Sequence, residues 1–496
     1  MNELSRRSLL AGCAAAMALP RPVRAAETST EERLRAVLEH AVQDRAGALA
    51  QLSGFDPATL PLPLRLDLLT ARSGLAIDVE LGRRFPFGRA GRSPYLVTPG
   101  SGAWAKADAP AETVLRETEA LRADAARGVR LPADLLGRTI AAVETAQAAA
   151  QDSRAAALAD QAAILRAQAS DAPRVGVSHL PGGEDYFALL LRRTTGDDIL
   201  PARLHERLVR EQARTLARAD RLFAQIGQRH GSVGARYSAL WRDSRFLYPD
   251  DDAGRDAAVA DMNRALAAVL PDLPAWFGPL PPEVLSARAA RMPAAEAAAG
   301  KQGYRTVPDR ERPGRYIVDL KDIRRRPRWT LPAVVHHELL PGHMVQLPLE
   351  TRAAPHPLRI DYAASFVEGW AIYAEQRAAS AGLYRGDPHG ELGYCHWRLF
   401  RIERALADLG IHLHGWSLDT ALAHWRETMG EPAYFAPFAT DLDRIALEPA
   451  ARAAEAAAWL AIEDLSRGRA PIPFHRALLR HGRARTDQLA SLTRAA

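Results

Sequence analysis

Apolar residues recur at helical spacing along most of this chain. In the stretch 31–52, Leu34, Val37, Leu38 and Val42 fall three or four residues apart, as the buried face of an amphipathic helix requires. Comparable patterns predict helices over 111–126, 204–227, 331–349, 361–381, 391–412, 417–429 and 444–467. The Ala-rich stretch 133–169 predicts one long helix or a helical hairpin. Residues 53 to 109 are interrupted by Pro and Gly and read as loop-rich. The stretch 178–195 reads as a turn, a helix and a polar exit. The best strand is Tyr316-Ile317-Val318-Asp319-Leu320, which follows a Pro313-Gly314 turn signal. The expected fold is therefore mainly α, with at most a small β-sheet.

Composition agrees. Aromatics are only 6% and Ala is abundant, which favours helices over sheets. A chain of 496 residues is long for one core. A Pro-rich apolar connector at 270–282 suggests a boundary near 270–300. The expected organisation is a signal segment at 1–25, a helical N-terminal region at 26–299 and a catalytic region at 300–496. Asp250, Asp251 and Asp252 precede a helix, where carboxylates serve as caps rather than as a calcium loop.

The N-terminus carries its own signals. Ser5-Arg6-Arg7-Ser8-Leu9-Leu10 is a twin-arginine pattern, followed by a short apolar stretch and a cleavage signal ending at Ala25. Export to the periplasm through the twin-arginine machinery is expected. Leu10-Ala11-Gly12-Cys13 has the form of a lipobox, so a lipid anchor on Cys13 is the alternative. It ranks lower, because few apolar residues separate Arg7 from Cys13. Cleavage leaves Cys395 alone, which excludes an internal disulfide. The leader holds four Arg and one Glu, so the formal charge of +6 falls to near +3 without it. No basic face with interleaved aromatics points to nucleic acid. No later run is long enough for a membrane span.

The chemistry concentrates in His336-His337-Glu338-Leu339-Leu340-Pro341-Gly342-His343 and in Val367-Glu368-Gly369-Trp370-Ala371. Two imidazoles and a carboxylate form a hydrolytic zinc site with an open fourth position. His337 and His343 are six apart. On an unbroken helix that separation is a rotation of about 240° net, which points the rings apart. Pro341 and Gly342 resolve the conflict by breaking the helix between them. The expected ligands are His337, His343 and Glu368. His336 is too far along the axis to share one ion with His343 and reads as packing. Glu375 lies seven residues after Glu368, on the same face, and is the candidate to orient a ligand His.

These segments resemble a bacterial family known as domain of unknown function 885, which itself looks like a distant member of the gluzincin-type zinc peptidases. The family pattern His-Glu-x-x-Pro-Gly-His is met by His337 to His343, and Glu-Gly-Trp-Ala by Glu368 to Ala371. Gln346 also fits. Gly182-Gly183-Glu184-Asp185-Tyr186, with Thr194-Thr195, resembles a second block. Arg401, Arg404, Asp408, Gly410, His412, Gly415 and Trp416 resemble a third. The resemblance implies a multi-helix zinc-peptidase-like architecture. One departure stands out. Pro449-Ala450-Ala451-Arg452 replaces the family's Pro-Gly-Gln-Ala, and no matching Tyr follows.

The expected function is an exported zinc-dependent metallopeptidase acting on short peptides. Zn²⁺ lowers the pKa of its bound water to about 7, and Glu338 is the expected base. His412 or Tyr373 is the expected oxyanion donor, and Arg401 or Arg404 the expected carboxylate clamp. The run Arg324-Arg325-Arg326-Pro327-Arg328 reads as a solvated loop. Two alternatives remain open at this point. One is an inactive peptide-binding or scaffold protein, motivated by the altered 449–452 segment. The other is a metal-dependent amidase on a non-peptide substrate. Other divalent ions also suit such ligands.

Overall fold

The computed structural model describes residues 29–89, 91–308, 311–430 and 437–494. The leader, with the twin-arginine pattern, Cys13 and the cleavage signal, lies outside the described residues. Elsewhere the chain is helical nearly throughout, as its periodicity predicts.

Several predicted helices are split where capping residues intervene. The stretch 31–52 forms Thr30–His40 and Arg45–Leu52. Ser29 and Glu32 close a capping box on the first, and Asp44 accepts from Gly47 N on the second. The Ala-rich segment is the hairpin alternative, Ala133–Ala149 packed on Asp152–Ala167. Asp251 accepts from Gly254 N at 2.7 Å and so caps its helix.

The stretch 53–109 corrects the loop-rich expectation, because it contains the 23-residue helix Leu62–Arg84. Its prolines are helix starters. Pro61 is the N-cap and Pro63 lies in the first turn, where the missing N–H costs nothing. Gly74 packs under the ring of Tyr362, so close that a Cβ there would lie 2.4 Å from it.

The sheet is small. Strands β1 (Arg288–Arg291), β2 (Tyr304–Thr306) and β3 (Arg315–Val318) order as β1-β3-β2. β1 runs parallel to β3, with Ala289 opposite Tyr316; β2 runs antiparallel, with Arg305 opposite Tyr316. β3 supplies the buried centre and ends at Val318, short of Leu320.

Helix Pro388–Leu413 is the axis of the core, and Tyr394 through His412 are buried without a break. A helix buried on all sides must be surrounded by other elements, and its charged residues must find partners among them. Pro201–Gln225, Leu331–Glu338, Leu418–Met429 and Ala451–Ser466 pack around it. Burying side chains such as Leu399 and Phe400 contributes about 1.5–3 kcal/mol each. The principal apolar cluster includes Leu158, Phe187 and Leu208 as well as Val334, Phe400 and Trp459, so it draws on residues before and after 299. A smaller cluster joins Leu34, Leu52 and Leu75 to Leu358 and Tyr362. Arg193 ties the two sides together through Asp78 and Asp361, at 2.6 Å each.

Candidate metal centre

The centre depends on a break in one helix. Leu331–Glu338 stops, and after four intervening residues a new helix, His343–Ala353, starts. The return is tight. A Cβ on Gly342 would lie 1.9 Å from the His337 carbonyl oxygen, so only glycine fits. Trp370 Nε1 donates to the carbonyls of Gly342 at 3.1 Å and Pro341 at 3.3 Å. Those bonds pin the break to helix Ser365–Ser380, which carries Glu368.

The break brings the His337 and His343 rings to 4.8 Å between centroids, nearly perpendicular. Glu368 bridges them. Its Oε2 lies 3.4 Å from His337 Nε2, and its Oε1 lies 3.5 Å from His343 Nε2. One potential ligand atom from each residue falls within 4.8 Å of the others, and this is the one such group of three among the described residues. Neither ring nitrogen of His343 has a hydrogen-bond partner among the described residues, although the side chain is wholly buried. A buried polar atom left in that state is costly unless something binds it. The donor set and the orphaned nitrogens fit a divalent ion of the zinc type.

Neighbouring groups set the charge states. Burial, with help from Arg305, pushes His343 down to about 4, so its ring is neutral. For Glu368, burial is outweighed by the close approach of the His337 and His343 rings, which hold it well below the usual carboxylate range. Glu338 is also held low. Burial opposes this, but Arg305, His337 and His343 prevail. Arg305 Nη1 lies 2.6 Å from Glu338 Oε2. On His337, burial and Arg401 are outweighed by Glu368 and Glu375, and the ring is raised. Glu375 accepts from His337 Nδ1 at 2.7 Å. His336 bonds to the Tyr384 hydroxyl and sits in the core.

The centre lies in a cleft of about 520 Å³. His337, Glu338 and Glu368 line it, with Arg401 and Arg404 from the axial helix and Tyr304 and Arg305 from β2. Arg401 Nη2 lies 3.1 Å from His337 Nε2.

Two sequence expectations are corrected. His412 is buried away from the cleft, with Nε2 2.9 Å from the Ile445 carbonyl, and packs against Phe187. The axial helix carries it three turns, about 16.5 Å, beyond Arg401 on nearly the same side. Tyr373 donates its hydroxyl to His475 Nε2 at 2.9 Å, a partner whose other nitrogen is fixed by the Trp276 carbonyl. Neither residue lines the cleft, so neither is an oxyanion donor. Arg404 does line it, paired to Asp441 at 2.8 Å. Arg326 also departs from the solvated-loop reading, since it is buried in the cleft wall.

Sequence reasoning missed Arg305, Arg452 and Trp397. Trp397 stacks parallel to His337 at 6.3 Å between centroids. Arg305 was legible only through β2, a three-residue strand too short to show a period.

An axial buried helix crossed by shorter helices, with a His-His-Glu group at a helix break, defines the class of protein. Residues 101–487 match the family described as bacterial protein of unknown function (DUF885), and the chain belongs to that family. No curated protein matches the sequence. A candidate lipoprotein from Colwellia psychrerythraea shares the fold, with a TM-score of 0.77 and 21% identity over 92% of this chain and 91% of that one. A candidate lipoprotein of unknown function from Shewanella oneidensis is similar at a TM-score of 0.68 and 17% identity, over 94% of this chain and 93% of that one.

Proposed function

We propose that this protein is an exported zinc-dependent metallopeptidase that hydrolyses short peptides. The observation that carries the proposal is the meeting of His337, His343 and Glu368 beside Glu338 at the wall of an open cleft. Those three would hold the ion. When bound, it would supply Lewis-acid polarisation of water and of the scissile carbonyl.

The chain's own residues account for the rest. Glu375 fixes the ring of His337 by taking its Nδ1 proton in a hydrogen bond. Glu338 takes a proton from the attacking water and returns it to the leaving amine nitrogen. Arg305 keeps Glu338 ionised and aimed. Arg401 stands where negative charge develops on the carbonyl oxygen, replacing the excluded His412 and Tyr373.

Export rests on the twin-arginine pattern, with anchoring through Cys13 as its variant. The two lipoprotein-like structures are compatible with either. No helix among the described residues is long and apolar enough to cross a membrane.

A peptide-library digest read by mass spectrometry tests the activity. Cleavage is expected from the zinc-loaded protein and a loss of about 10²-fold or more from Glu338→Gln, with metal retained. Full activity in that variant would remove Glu338 from its role. Peptide binding without cleavage in the zinc-loaded wild type would favour the scaffold alternative.

A further inference from the structure

One wall of the cleft carries three arginines, of which the proposed chemistry uses only Arg401. Helix Pro388–Leu413 contributes Arg401 and Arg404, and the first turn of Ala451–Ser466 adds Arg452. Arg401 is 7% exposed, and its Nε has no hydrogen-bond partner among the described residues. Its nearest carboxylate is Glu368, 3.7 Å from Nη1. An ion at the centre would claim that carboxylate, leaving Arg401 to face whatever enters the cleft.

Arg404 and Arg452 converge on a single cleft-lining carboxylate. Glu455 lies 3.6 Å from Arg404 Nη1 and also accepts from Arg452 Nη1. Arg404 has Asp441 behind it, and Arg452 has Glu448, which is half exposed and screened by water. Burial, then the charge of Arg452, pushes Arg404 below its ordinary value. A second anion between the two guanidiniums relieves that repulsion.

The spacing says which anion. Arg404 follows Arg401 by three residues, an axial advance of about 4.5 Å. An extended peptide advances about 3.3 Å per residue. A substrate whose scissile carbonyl lies by Arg401 therefore carries its next one or two residues alongside Arg404 and Arg452. Paired guanidiniums match a carboxylate well.

Resting on the peptidase reading, we propose that Arg404 and Arg452 bind the free C-terminal carboxylate of the substrate. Cleavage then removes the last one or two residues of a short peptide, and the enzyme is an exopeptidase rather than an endopeptidase.

The test is calorimetric binding of N-acetyl-dialanine and of its C-terminal amide to the zinc-loaded Glu338→Gln protein, which reads affinity without turnover. The free acid is expected to bind about 10-fold more tightly, the scale of one charge-assisted pair. Arg452→Gln and Arg404→Gln are each expected to erase the preference with zinc content unchanged. Two replacements guard against one of them failing to fold. Equal binding of acid and amide would overturn the proposal, as would a preference that survives both replacements. Turnover by the zinc-loaded wild type without any acid preference would leave the peptidase reading standing and sink this one. An acid preference in protein that takes up no zinc would support the carboxylate site and sink the hydrolytic reading.

Discussion

Glu375 Oε1 lies 2.7 Å from His337 Nδ1, and both side chains are buried. That bond fixes the imidazole so that Nε2 faces Glu368. Outer carboxylates of this kind typically contribute about 10- to 100-fold to metal affinity. Glu375→Ala is therefore expected to weaken zinc binding by about that factor, measured by competition with a chromophoric chelator. Glu375→Gln, which can still accept the bond, is expected to lose less. Unchanged affinity in Glu375→Ala would remove the orienting role.

Gly369 sets how closely two helices meet behind the centre. A Cβ there would lie 2.7 Å from Ala458 Cβ and 2.8 Å from Trp459 N. Gly369→Ala is expected to destabilise the fold by about 1–3 kcal/mol through overpacking. Chemical denaturation checks this, and adding Ala458→Gly should recover part of the loss.

Ala450 occupies the left-handed region, with φ at 66°. Glycine adopts that conformation without a Cβ clash. Ala450→Gly is expected to raise stability by about 1 kcal/mol. A fall in the denaturation midpoint would contradict this.

Asp408 joins the axial helix to the start of Ala451–Ser466 by accepting from the N–H groups of Ala450, Arg452 and Ala453. Burial outweighs those donors and lifts its carboxyl to about 7. An unfolded Asp titrates near about 3.9. The folded state thus holds the proton more tightly, and the associated stability is complete below about 4 and lost as pH rises through 7. The Tm difference between wild type and Asp408→Asn is expected to shrink from pH 5 to pH 8. A difference that is flat across that range would contradict the assignment.

The sequence foretold helices well and their breaks less well. Periodicity located the axial helix because its apolar residues recur over many turns without a Pro after Pro388. It missed Leu62–Arg84 because Pro61 and Pro63 resemble breakers when they are in fact starters. At the centre, the six-residue gap and Pro341-Gly342 already implied that the rings of His337 and His343 meet. How far along the buried axial helix the cleft extends was not legible, since burial at every position leaves no exposed stretch to mark its end. His412 was misplaced because it shares the side of Arg401 but lies about 16.5 Å further along the helix, and Tyr373 was misplaced for want of its partner His475, which is 102 residues away in the chain. Arg305 and Arg452 come from segments whose approach to the centre is set only by tertiary packing.

The most direct test of the central claim is metal stoichiometry by mass spectrometry on the purified mature protein, without added metal. About one zinc per chain is expected, falling to near zero in His343→Ala. No bound metal, and none taken up on zinc titration, would contradict the assignment of His337, His343 and Glu368 as a metal centre.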